Sequence, residues 1–63
     1  MSLNKTKIEI RRTKRGISRK ELADLVGVTE RAIEYYEKGK REPKASILKK
    51  IAEVFGCLME DLI

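Results

Sequence analysis

Apolar positions in this chain cluster at helical spacing and are separated by glycines. Leu48, Ile51, Ala52 and Phe55 recur at i, i+3, i+4 and i+7, the stripe of one buried helix face. Leu22, Ala23 and Val26 form an earlier cluster, and Val28, Ile33 and Tyr36 continue it beyond Gly27. No segment alternates with a period of two and no repeat is visible, so the pattern predicts an all-α fold. Capping signals divide it. Thr6-x-x-Glu9 fits a capping box and predicts a first helix from near Lys7 to Arg15, stopped by Gly16, with Asn4 as a competing start. Ser18-x-x-Glu21 opens a second helix that ends at Gly27. Thr29 suits the N-cap of a third, from Glu30 to about Lys38, terminated by Gly39. The loop 39–44, GKREPK, contains Pro43, which prevents helix continuation. A fourth helix closes at Gly56, and Met59 and Leu62 predict a last short helical turn. The expectation is a compact bundle of five short helices.

Residues 19–38, RKELADLVGVTERAIEYYEK, carry a more specific signal. Ala23 is small enough for the next helix to pack closely. Gly27 stands where the backbone must turn through positive φ, which costs glycine little and a branched residue much. Ile33 drops into the angle between the two helices, and Leu22, Val26, Val28 and Tyr36 complete the seam. This is the construction of a helix-turn-helix unit. An ordinary helical hairpin would explain the Gly-Val turn alone but not the whole set of spacings.

From about Ile8 to Ile63 the chain resembles the Cro/lambda-repressor-like, XRE-type helix-turn-helix family. The resemblance is carried by RRTKRGISRKELADLVGVT, RAIEYYEKGKREP, ILKKIAEVFG and MEDLI. It implies a lambda-repressor-like bundle, no cofactor, and binding of double-stranded operator DNA, usually as a homodimer.

Composition narrows the alternatives. Sixty-three residues are expected to form one domain, 1–63, near the lower limit for folding unaided. A lone cysteine, Cys57, allows no intrachain disulfide, and the absence of histidine leaves no metal-ligand cluster and no acid–base pair to defend an enzyme or a small-molecule substrate. No apolar run is long enough to span a bilayer and no signal-peptide pattern opens the chain, so a cytoplasmic, non-membrane protein is expected. The net charge of +5 and pI near 9.6 favour a polyanionic partner, although 40% charged residues also suits a well-solvated small helical protein. Distribution argues for the former: cations crowd the first third and the 38–44 region, whereas Glu53, Glu60 and Asp61 are the only charges after Lys50.

Read through the resemblance, helix 3 is the recognition helix. Glu30, Arg31 and Tyr35 map onto base-contacting positions, with Ala32 facing a thymine methyl. Arg31 suits a bidentate contact to guanine, or else a phosphate contact or a pair with Glu34. Glu30 suits either cytosine N4 or the positive end of its own helix. Glu34 lies one turn before Lys38 and suits a surface pair with it. The expected phosphate contacts are Arg19, in place of the family's usual Gln, with Lys40, Arg41 and Lys44 in the loop; Thr29 and Lys38, at the ends of helix 3, are weaker candidates, and Lys5 or Lys7 follows from the N-terminal side. Arg12 and Glu37 match a family bridge between helices 1 and 3, in which the Arg also approaches a phosphate.

Several residues depart from the family pattern. Arg11 replaces an apolar or small residue, with Ile10 a candidate to take over its packing. Lys44 and Leu58 stand where polar caps are usual, each at a cost of about 1 kcal/mol. For Leu58, a hydrophobic contact is the expected compensation. Cys57, Leu58, Met59, Leu62 and Ile63 give five apolar residues among the last seven, and predict a dimer contact. Three acids on the recognition helix keep a competing reading open, a protein-interaction module that retains the fold without reading DNA.

Overall fold

The computed structural model describes residues 6–62. Four α-helices follow in order: α1 (Lys7–Arg15), α2 (Arg19–Val26), α3 (Glu30–Lys38) and α4 (Ala45–Phe55). A 3-10 turn, Met59–Leu62, closes the described chain. Asn4, Lys5 and Ile63 lie outside the described residues.

The caps explain the boundaries. Ser18 makes the full reciprocal box, with Oγ accepting from Glu21 N at 3.0 Å and the Glu21 carboxylate accepting from Ser18 N at 2.8 Å. At Thr6 only the hydroxyl half forms, accepting from Glu9 N at 3.3 Å. Thr29 Oγ1 accepts from Ala32 N at 3.1 Å. Gly27 then turns the chain at φ 80°, a conformation strained for residues with a Cβ, and its N–H donates to the Ala23 carbonyl. That turn lets α3 cross α2 over a core of Leu22, Ala23, Val26 and Ile33, joined by Ile8, Ile51, Ala52, Phe55 and Leu62.

Helix α4 has Lys44 at its N-cap position, with no side-chain capping hydrogen bond. Its other end is secured from afar: Arg15 Nη2 donates to the Phe55 carbonyl at 2.7 Å, placing a cation at the negative end of the helix. Spacing gives no signal for a contact across forty residues.

The expected last short helical turn is of 3-10 type, closed by Asp61 N–H donating to the Leu58 carbonyl at 3.0 Å. Two local expectations change. Leu58 is capped from the opposite direction, its N–H donating to the Asp61 carboxylate at 3.2 Å, so a polar contact supplies the compensation. Ile10 does not replace packing lost at Arg11. It is 39% exposed, because α1 turns Ile8 and Arg12 inward.

Candidate nucleic-acid interface

Helix α3 divides into two faces. Ile33 and Glu37 point inward and are buried, while Glu30 and Arg31 are exposed and Ala32, Glu34, Tyr35 and Tyr36 are half-buried. A buried carboxylate needs partners, since an unpaired charge in a core is very costly. Glu37, with a side chain 0% exposed, has two. Arg12 donates through Nε to Oε2 at 2.5 Å and through Nη2 to Oε1 at 3.3 Å, and its Nη1 reaches the Ile17 carbonyl at 2.9 Å. Arg19 donates through Nε to Oε1 at 2.8 Å. One anion thus ties α1, α2 and α3 together. This hydrogen bond to Glu37 is the main cause that raises the Arg19 guanidinium above its ordinary value.

The two arginines differ. All three nitrogens of Arg12 are engaged inside the protein and its side chain is 11% exposed, which leaves little of it for a phosphate. Arg19 is 32% exposed and, among the described residues, uses Nε alone. The Arg12–Glu37 bridge matches the expected pairing, whereas Arg19 as a second partner had no signal in the sequence.

On the outer surface, Lys38 Nζ donates to Glu34 at 2.8 Å, holding the Glu34 carboxyl below its ordinary value. Lys38 is therefore partly committed within the protein. Two of the three acids on α3 are neutralised within the protein. Arg31 forms no ion pair among the described residues, so the alternative of an Arg31–Glu34 pair is not what the structure adopts. Thr29 is exposed and serves as a cap. Lys40, Arg41 and Lys44 are exposed, and the Lys40 N–H anchors the loop to the Tyr35 carbonyl at 2.9 Å. The loop cations are thereby attached to the end of α3.

Toward the C-terminus, the apolar residues of the expected dimer contact separate. Leu58 is 63% exposed, Cys57 and Met59 are half-buried against the core, and Leu62 is spent inside it. Leu62 thus closes the monomer core instead of facing outward, because the 3-10 turn directs it under α1 and α4. Among the described residues no group of three potential metal ligands occurs, and no helix is long and apolar enough to cross a membrane.

The helix-turn-helix family matches residues 8–62. An uncharacterised HTH-type transcriptional regulator of Archaeoglobus fulgidus is 43% identical over 58 residues, covering 92% of this chain and 83% of the relative. The P22 c2 repressor, in a crystal structure with a synthetic operator, superimposes with a TM-score of 0.89 at 28% identity, covering 100% of this chain and 96% of that one. The solution structure of the P22 c2 repressor's DNA-binding domain gives a TM-score of 0.84 at 30% identity, over 89% of this chain and 74% of that one. By sequence, by the glycine turn between α2 and α3 and by overall shape, the chain belongs to the XRE-type helix-turn-helix family of transcriptional regulators.

Proposed function

We propose that this protein is a sequence-specific double-stranded DNA-binding regulator, a repressor that acts as a homodimer on a palindromic operator. It needs no cofactor and catalyses no reaction, and works in the cytoplasm as one domain, 1–63, with its reading unit at 19–38. One observation carries most weight: Glu34 and Glu37 are neutralised within the protein, so α3 presents Arg31 outward beside exposed loop cations. This removes most of the objection that an acidic recognition helix would repel phosphates. In this reading Arg31 reads guanine O6 and N7, with Tyr35, Glu30 and Ala32 meeting neighbouring base edges. Arg19, Lys40, Arg41 and Lys44 hold phosphates and supply salt-dependent affinity, with Thr29 and Lys38 secondary.

The dimer contact centres on Leu58, with Cys57 and Met59 beneath it. A large apolar side chain left exposed beside partly covered ones supports an interface. A two-fold axis there would put the two recognition helices about 34 Å apart, one turn of DNA. Selection of bound duplexes from a random pool tests the whole reading. The expected result is an enriched near-palindrome with half-sites one turn apart. Recovery of no consensus, with binding insensitive to salt, would instead favour a protein-interaction module.

A further inference from the structure

The geometry assigns Glu37 as the positioning residue that aims Arg19 at a DNA phosphate, with Nε as the fixed end and the terminal nitrogens as the working end. This rests on the DNA-binding reading above. Glu37 is fully buried and cannot itself touch DNA. Its two oxygens accept from Arg12 and Arg19, so two cations share one anion and the cluster keeps one positive charge in excess. Arg12 is enclosed, with all three nitrogens bonded. The outward end of the cluster is therefore Arg19, 32% exposed and bonded within the described residues through Nε only.

An arginine held by Nε still offers two terminal nitrogens with a defined direction, which suits the fork geometry of a phosphate. Position supports the assignment. Arg19 is the first residue of α2, where the helix dipole disfavours a cation, so local helix energetics does not explain its presence. The tie to Glu37 offsets that cost and fixes a long side chain before DNA arrives, reducing the ordering required on binding. Lysine could not reproduce this, because its single nitrogen reaches Glu37 or the phosphate but cannot occupy both the rear and front positions of a guanidinium.

Binding of the full chain to a short mixed-sequence duplex, measured across salt concentrations, separates aiming from simple charge. Arg19→Ala should weaken binding and lower the log–log salt slope by about one unit. Arg19→Lys should recover less than half of the lost affinity, measured on a logarithmic scale, despite restoring the charge. Glu37→Gln, assayed where circular dichroism shows it folded, should weaken binding although it removes an acid; a charge-only account expects the opposite. Arginine Nε–H NMR signals give a reading independent of that variant's folding: the wild-type Arg19 Nε–H should be protected from exchange without DNA and stay protected in the complex. Wild-type affinity for Arg19→Lys, tighter binding by Glu37→Gln, or an Arg19 Nε–H that exchanges like that of Arg31 would each overturn the inference. If the wild type binds no duplex even at low salt, the regulator reading and this inference fail together, whereas failure of the lysine or NMR test alone removes only the aiming.

Discussion

The helix-turn-helix half and the C-terminal end are held by different kinds of force. Around α2 and α3 the ties are directional: a reciprocal capping box, a capped turn and a buried carboxylate gripped by two guanidinium groups. At the other end, α4 starts uncapped and packs mainly through Ile51, Ala52 and Phe55, the final 3-10 turn is anchored by Leu62, and the directional ties are single bonds, Arg15 to the Phe55 carbonyl and Leu58 N–H to Asp61. Apolar burial fixes how much surface is covered but tolerates small rotations. Charged hydrogen bonds fix angle as well. The half proposed to read base edges is the half with angular control, and the end with looser specification carries exposed Leu58.

The largest test of that contrast is Glu37→Ala. It leaves Arg12 buried without its counter-ion and should cost about 3–5 kcal/mol. For a domain of this size that approaches the whole folding free energy, so thermal melting should show a largely unfolded chain. A loss below that of an ordinary surface variant would mean the cluster contributes no rigidity. Next comes Arg15→Ala, which frees the Phe55 carbonyl at the end of α4 and should cost about 1 kcal/mol, given partial solvent access. Hydrogen exchange should then increase in the last turn of α4 and leave α3 unchanged. If α3 responds equally, the two halves are not separable.

Lys44→Ser runs in the favourable direction for stability. It adds the missing cap and should stabilise α4 by about 0.5–1 kcal/mol while removing one proposed phosphate contact. A higher melting temperature with a shallower salt slope for DNA is the expected pair of results. The smallest effect concerns Glu34. Its carboxyl titrates below the ordinary value because of Lys38, so the pair's contribution to stability is present above the unfolded-state pKa and is lost as pH falls through the folded-state value. Lys38→Gln should move the Glu34 titration upward toward the ordinary value in an NMR pH series, and an unmoved titration would dismiss the pair.

Much of this was legible in the chain because helix ends are local. Ser18, Thr29 and the glycines stand within a few residues of the groups they satisfy, and the bounds of α1, α2 and α3 follow from them. Ala23, Gly27 and Ile33 likewise declare the crossing of α2 and α3. What was not legible depends on distance or rotation. Arg19 meets Glu37 across eighteen residues and Arg15 meets Phe55 across forty, and an exposed cation elsewhere in sequence looks the same. Ile10 stands about 200° around α1 from Arg12, so once the buried carboxylate draws Arg12 inward Ile10 faces out, and its apolar character alone does not reveal that rotation. The final turn misled because Leu58 is a poor cap by type, while its backbone is served by Asp61 from three residues ahead.

The three-way tie at Glu37 also has a kinetic consequence. Its geometry requires α1, α2 and α3 to be docked together, so it cannot form in a nucleus made of any two of them. A two-helix nucleus holds at most one of its two guanidinium contacts, so a large part of its energy should fall on the unfolding barrier, with folding rates little changed when it is weakened. In a chevron of Glu37→Gln the unfolding arm would rise and the refolding arm would move little. A cluster that aims a side chain in the folded protein would thus also set how long each molecule stays folded.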